Sequence, residues 1–326
     1  MAKLKDVADL TGLSISTISY VLNGKKKVKE ETYQRIMEAV EKVGYRPNQL
    51  ARSLKTRQTL TIGVVVPDIS NEFFPQIVKG IDDKAHDFNY NIILCNTNND
   101  VDREEDYINT LLSKDIDGII FIGTAKSQTI LENKTNIPIV LVDRKMGEQY
   151  ISVVSDNYKG GYLATEHLIE RGKKSIALLS GQVFIKTFFD RMKGYMDALK
   201  DNSIIYNEDY VVGCDFTTQG GYDGINELIK KNIEFNAVFA ANDLIALGAM
   251  RALMENGKKI PDDVAIVGYD DIVISSTVMP SLTTIRQPKY EMGQYAADIL
   301  IKSIANKSLI QEHIVLQPSM IVREST

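Results

Sequence analysis

Apolar residues recur at helical spacing three times before residue 46. Leu4, Val7, Ala8 and the aliphatic part of Leu10 mark a first short helix, which Gly12 breaks. Ser14 is placed to cap a second helix over residues 15–22, with Leu13, Ile18, Val21 and Leu22 on one face and Asn23-Gly24 closing it. In "KEETYQRIMEAVEKVGYRP" Tyr33, Ile36, Ala39, Val40 and Val43 share a third helical face, and Gly44 with Pro47 stops the run. Two short helices around a Gly-containing turn, backed by a third, predict a helix-turn-helix with one small core.

Beyond residue 60 the pattern changes. Short β-branched runs ("LTIGVVVP", "YNIILCN", "GIIFIG", "PIVLVD", "SIALLSG", "YVVGC", "AVFAAN", "VAIVGYD") alternate with helical stretches. Continuous apolar strands separated by helices predict parallel sheets covered on both faces. A weak internal repeat points to two similar lobes. "IGVVVPD…FFPQIVKGIDDKAHDFNYNIILC" and "IALLSG…FFDRMKGYMDALKDNSIIYNEDYVVGC" share the succession strand, aromatic loop, helix, strand. The fold class expected is α/β: an all-α helix-turn-helix headpiece ahead of a two-lobed body with parallel sheets.

The outward face of the second helix is unusual. Ser16, Thr17, Ser19 and Tyr20, after Ser14, are mediocre helix formers. A helix lying in the DNA major groove needs such short donors and acceptors to reach base edges and phosphates. Charge agrees: residues 1–60 hold 12 Lys+Arg against 6 Asp+Glu, and the remainder holds 26 against 37. A basic head on an acidic body suits a polyanion met by the head alone. In "NQLARSLK", residues 48–55, one or two helical turns would be too short to stand alone in water. Leu50 and Leu54 have little protein to bury them, while Arg52, Lys55 and Arg57 favour phosphates. Such a segment either orders on DNA, with a leucine wedged into the minor groove, or is a polar linker.

Other classes recede. No apolar run reaches the roughly 18 residues of a membrane span, and "MAKLKDVADL" turns acidic before any signal-peptide core develops. Cys95 and Cys214 sit in strand-like runs and read as buried free thiols of a cytoplasmic protein. His86, His167 and His313 are scattered, and no Cys/His cluster has metal spacing. Neither a G-x-S-x-G elbow, a Walker loop nor a G-x-G-x-x-G is present. No enzyme activity, metal or cofactor is expected.

In doubly wound sheets, ligands sit at the carboxyl ends of strands. Those ends carry Asp68 to Phe74, Asn96, Asp143-Arg144, Asp156-Asn157, Arg191 just before its helix, Phe216, Asn242-Asp243 and Asp270. Charged and amide groups beside flat aromatic rings suit a neutral polyhydroxylated ligand such as a sugar. Some of these residues have second readings. Asp143-Arg144 reads equally as an ion pair between loops, Asn242-Asp243 as a helix cap, and one of Phe73 and Phe74 as a hydrophobic anchor.

"LKDVADLTGLSISTISYVLNG" followed by "YRPNQLARSL" resembles the headpiece and hinge of the LacI family of bacterial transcription repressors. The likeness continues through "IGVVVPDISNEFF", "SDNYKGGYLATEHLIERG", "AANDLIALGAM", "VAIVGYDD", "PSLTTIRQP" and "VREST". It implies a DNA-binding domain at 1–46, a hinge at 47–59 and an effector-binding, dimerising body at 60–326. Lobe 1 would take about 60–158 and 289–316, and lobe 2 about 159–288 and 317–326, in a periplasmic sugar-binding-protein fold crossed three times by the chain. It also implies that Ile15, Ser16 and Tyr20 select operator bases, with Thr17, Ser19 and Asn23 beside them. Hinge residues Asn48, Ala51 and Leu54 would meet the operator, Leu54 as the wedge. Many members carry Arg where this chain has Tyr20, and Arg would grip guanine with two hydrogen bonds. Effector contacts would fall on Phe73, Phe74, Arg191, Phe216, Asn242 and Asp270, with Asp143 and Arg144 as further candidates.

The expected partners are a pseudo-palindromic operator, a second copy of the chain and a small effector. A pentose or other monosaccharide leads; purines and a phosphorylated protein coregulator are the alternatives. "IVREST" ends the chain without a heptad tail, which favours a dimer over a tetramer.

Overall fold

The computed structural model describes residues 2–22, 27–45, 58–123, 137–146, 150–181, 185–306 (residue 306 by its backbone) and 313–326. They form two compact units, Met1–Thr59 and Leu60–Thr326. Asn23, Asn48, Ala51 and Leu54, expected at the DNA, lie outside the described residues.

The first unit holds α1 (Leu4–Thr11), α2 (Ile15–Leu22) and α3 (Glu30–Val43). Gly12 ends α1 in the left-handed conformation at φ 67°, which a β-carbon would strain. Ser14 starts α2: its Oγ accepts the Thr17 amide at 3.1 Å and meets Thr17 Oγ1 at 2.9 Å. Val7, Ile18, Val21, Ile36 and Ala39 form the core that joins the three helices. Two residues read as apolar-face positions face solvent instead. Leu10 is 49% exposed and Tyr33 40%, while Thr11 is buried and returns its hydroxyl to the Val7 carbonyl.

The second unit contains two six-stranded sheets. The first comprises β1 (Thr61–Val66), β2 (Asn91–Asn96), β3 (Gly118–Phe121), β4 (Ile139–Val142), β5 (Ile151–Ser155) and β11 (Ile314–Leu316). Its order is β11-β5-β4-β3-β1-β2, parallel throughout. The second comprises β6 (Ile176–Ser180), β7 (Val211–Gly213), β8 (Ala237–Ala240), β9 (Ala265–Asp270), β10 (Thr283–Arg286) and β12 (Ser319–Ile321). Its order, β12-β10-β9-β8-β6-β7, repeats the first, except that β12 runs antiparallel to β10. β3, β4, β6, β8 and β9 are buried from end to end, which is why they read as unbroken apolar runs. β5, β10, β11 and β12 were not legible as strands. β5 and β10 mix Ser or Thr with aliphatics, and β11 and β12 are three-residue edges with half-exposed side chains.

Helices α4 (Phe73–Asp87), α5 (Val101–Ser113) and α10 (Lys289–Asn306) pack on the first sheet. Helices α6 (Asn157–Glu170), α7 (Lys186–Asp201), α8 (Thr218–Lys230) and α9 (Asp243–Glu255) pack on the second. The chain passes between the lobes after β5, after β10 and after β11. The repeat extends to helix packing. A β-carbon on Gly80 of α4 would stand 2.1 Å from the Tyr290 carbonyl oxygen of α10, and one on Gly293 would stand 2.1 Å from that of Ile77. In the other lobe, Gly194 of α7 stands against the Tyr158 carbonyl (2.2 Å) and Gly161 of α6 against that of Arg191 (2.1 Å). Each crossing also carries a Tyr–Asp hydrogen bond, Tyr290 to Asp83 at 2.9 Å and Tyr158 to Asp197 at 3.1 Å.

Candidate functional site

The carboxyl ends of both sheets face a cleft of about 700 Å³. Asp68 reaches it from the β1–α4 connection, Phe73 and Phe74 from the first turn of α4, and Asp143 and Arg144 from the end of β4. The opposite lobe contributes Phe188 and Arg191 from α7, Phe216 after β7, Asn242 before α9, Asp270 at the end of β9 and Gln287 after β10. Aromatic rings stand on both sides. Phe73 and Phe74 pack edge to face with centroids 5.1 Å apart, and Phe188 stacks on Phe216 at 4.4 Å.

Arg191 is the centre of the polar part. It is 4% exposed, and its Nε donates to Asn157 Oδ1 at 2.8 Å and its Nη1 to the Ala241 carbonyl. Its Nη2 lies 4.0 Å from Asp270 Oδ1, and its guanidinium carbon sits 3.6 Å from the Tyr269 ring centre. A buried cation persists because carbonyl, amide, carboxylate and ring all answer it. Asp270 in turn accepts Gln287 Nε2 at 2.7 Å. Burial pushes its carboxyl up, against the pull of Arg191, Lys289 and Gln287. Its φ of 113° is rare for a residue with a side chain, and Asp271 follows at 53°. Lys289 Nζ donates to the carbonyls of Asp270 and Asp271. Arg286 and Arg323 pair with the Asp271 carboxylate, holding its pKa low despite burial.

On the other wall, burial raises Asp143 from 3.8 to about 6, opposed by Arg191 and Arg144 and reinforced by Asp270. Burial pushes the Arg144 guanidinium down, while Asp143 and Glu104 act the other way. Asp143 Oδ1, Arg144 Nε and Nη1, and Gln287 Oε1 are buried and find no hydrogen-bond partner among the described residues. Buried polar atoms without partners cost about 1–3 kcal/mol each, so this cleft is prepared for a ligand that both donates and accepts. Among the described residues no group of His, Cys, Asp and Glu could hold a metal ion.

Residues 3–48 match the family of bacterial regulatory proteins, lacI family. Residues 59–319 match periplasmic binding proteins and sugar binding domain of LacI family. The chain is 44% identical to the HTH-type transcriptional regulator RegA of Clostridium acetobutylicum, over 99% of each chain. The chain belongs to the LacI family. Among solved structures, it is 35% identical to a LacI-family transcriptional regulator from Enterococcus faecium with bound ribose. That match covers 82% of this chain and 98% of the other, with a TM-score of 0.72. It is also 28% identical to the lac repressor dimer bound to operator and an anti-inducer, over 100% and 99% of the two chains, with a TM-score of 0.88. This LacI-family protein is therefore a DNA-binding transcription regulator and not an enzyme.

All eight residues expected at the effector line one cleft of the regulator: Phe73, Phe74, Asp143, Arg144, Arg191, Phe216, Asn242 and Asp270. One placement needs correcting. Arg191 lies inside α7, in its second turn, rather than just before the helix, and its neighbour Phe188 takes the place nearer the start. Asn242 does cap α9, accepting the Ile245 amide at 2.8 Å, and also lines the cleft. Phe73 is anchored in the lobe-1 core, while Phe74 is only partly buried against it. Asp243 is not among the lining residues. It is buried beneath them, accepting Ile272 N, Ser275 Oγ and Thr284 Oγ1, with its pKa raised to about 7 by burial and Asp270. Asn96 accepts the Ile69 amide of the β1–α4 connection, and Asp156 caps α6 by accepting the Lys159 amide. Sequence reading missed Gln287, Phe188 and the supporting Asn157–Arg191 bond. Gln287 would have emerged from the strand-end rule had "LTTIR" been read as a strand.

In the headpiece of the regulator, Ile15 is 47% and Tyr20 46% exposed, and Ser16 is exposed beside them. Thr17 and Ser19 are half-buried, and Thr17 Oγ1 is engaged with Ser14. Cys95 and Cys214 are buried free thiols, with Cys214 pushed up to about 12 by burial. No described helix is long and apolar enough to cross a membrane.

Proposed function

We propose that this regulator represses sugar-utilisation genes and that a pentose in the cleft changes its affinity for its operator. The observation that carries this reading is the set of unpartnered buried atoms in the cleft. Asp143 Oδ1 and Gln287 Oε1 accept, and Arg144 Nε and Nη1 donate. They face aromatic rings from both lobes, across a cleft within the size range of small-molecule sites. The bound ribose of the 35% identical Enterococcus faecium regulator supports the same class. In this reading Phe74, Phe188 and Phe216 cover the sugar ring. Asp143, Arg144, Arg191, Asn242, Asp270 and Gln287 take its hydroxyls.

Ile15, Ser16 and Tyr20 read operator bases, with Thr17, Ser19 and Asn23 supporting them; Asn48, Ala51 and Leu54 act at the operator centre. The protein works in the cytoplasm as a homodimer on a pseudo-palindromic site, as the operator-bound lac repressor dimer suggests. Calorimetric titration with ribose, other pentoses, hexoses, cellobiose and purines tests the effector, with operator affinity measured with and without each. Ribose or another pentose should bind and shift operator affinity about 5- to 150-fold. Binding of a purine alone would overturn the sugar assignment.

A further inference from the structure

The segment that carries Asp270 belongs to lobe 2, yet two lobe-1 side chains hold its backbone. Lys289, the first residue of α10, donates through Nζ to the carbonyls of Asp270 and Asp271. Glu72, the residue before α4, accepts the Val273 amide through Oε2 at 2.8 Å. Both helices pack on the first sheet and on each other. A lobe-1 cation and a lobe-1 anion therefore grip one short run of lobe-2 backbone. Asp270 and Asp271, inside that run, both have positive φ. The run also borders a cavity of about 400 Å³, lined by Glu72 and Lys289 themselves together with Gln76, Arg286, Pro288 and Gln317.

We infer that Lys289 and Glu72 are positioning residues that couple occupancy of the cleft at Asp270 to the angle between the lobes, and thereby to operator affinity. A ligand that draws on the Asp270 carboxylate moves or fixes the 270–273 backbone. The clamp passes this to α10 and α4. Without the clamp, the same ligand can bind while the lobes no longer respond. The inference rests on the cleft being the effector site.

The test uses the full-length protein with Glu72→Ala, Glu72→Gln and Lys289→Met. Amide exchange across residues 270–276 should rise about tenfold in Glu72→Ala, with the strands of both sheets unchanged. Ribose affinity should stay within about threefold of wild type in Glu72→Ala and Glu72→Gln, which leave the charges around Asp270 in place. The ratio of operator affinities with and without saturating ribose should fall to within about twofold of unity in Glu72→Ala and Lys289→Met. Glu72→Gln, which keeps a carbonyl acceptor, should restore most of the coupling. Unchanged exchange with an unchanged ratio overturns the clamp, and so does a loss of ribose affinity parallel to the loss of coupling. If wild type itself ignores ribose, the pentose reading fails separately. The clamp is then judged on exchange at 270–276 and on ligand-free operator affinity, and it falls if neither changes.

Discussion

Ile77 and Arg191 occupy the same place in two copies of one design. Each lies three residues before a glycine that meets a neighbouring helix backbone, Gly80 in lobe 1 and Gly194 in lobe 2. The carbonyl of each is met by the partner glycine, Gly293 or Gly161. Each glycine is followed three residues later by an aspartate, Asp83 or Asp197, that binds a tyrosine of the opposing helix. Backbone packing is thus shared, while the side chain differs completely. Ile77 is fully buried in an apolar core, and Arg191 is 4% exposed among Asn157, Ala241, Tyr269 and Asp270. The same scaffold tolerates a buried cation only where strand-end groups surround it. Those groups give the lobe-2 wall of the cleft a prearranged charge network.

The largest effect should come from erasing that difference in the wrong direction. Ile77→Arg places a cation where lobe 1 offers aliphatic neighbours. It should cost at least about 4 kcal/mol and lower the melting temperature by more than about 10 °C in a thermal scan. A milder loss would mean that lobe 1 can rearrange to solvate the charge. Arg191→Met should weaken ribose binding by about 100-fold or more in calorimetry, since Asp270 loses its countercharge. Operator binding without ligand should survive. Gly293→Ala and Gly161→Ala test the shared part, because each added methyl would stand 2.1 Å from a carbonyl oxygen. Denaturant titration should show similar losses of about 1–3 kcal/mol in both lobes. Unequal losses would show that one crossing is looser than its copy.

Titration probes the lobe-1 wall of the cleft. Asp143 keeps its proton up to about 6 in the free protein. Because the folded value is raised, this group's contribution to stability is full below its ordinary 3.8 and declines as pH rises through about 6. A sugar hydroxyl donating to the ionised carboxylate binds the deprotonated form. Ribose affinity should therefore be flat above pH 6 and fall by up to about tenfold per unit below it. Asp143→Asn should flatten that profile. The smallest effects belong to Tyr158→Phe, which removes an exposed hydrogen bond to Asp197, and Tyr290→Phe, which removes one to Asp83 and a long one from Gln294. Each should cost about 0.5–1 kcal/mol in a denaturant titration.

Much of this site was legible because its residues sit at strand ends. Phe216, Asn242 and Asp270 each follow or end a run that is apolar along its whole length, so the end of the strand could be read directly. Gln287 escaped because "TTIR", although β-branched at three positions, is short and lacks the continuous apolar run of the other central strands. Arg191 was picked out among the strand ends but misplaced, because the helix around it begins at Lys186 without a side-chain cap that the sequence could advertise. The glycines of the two crossings are visible as letters, but their meaning depends on which helix lies opposite.

By itself, the sequence determined the three-helix head, the alternating strands and helices of the body, the repeat between its halves and the polar outer face of α2. These follow from periods of side-chain polarity, which are local and survive in one dimension. Tertiary structure alone decided that β12 runs antiparallel to its neighbour where β11 runs parallel, that Ile77 and Arg191 are counterparts, and that lobe-1 residues Lys289 and Glu72 hold the backbone of lobe 2. Those outcomes depend on how distant segments meet after the chain has crossed between lobes. Burial and hydrogen bonding then decide among them, and neither has a period in the sequence.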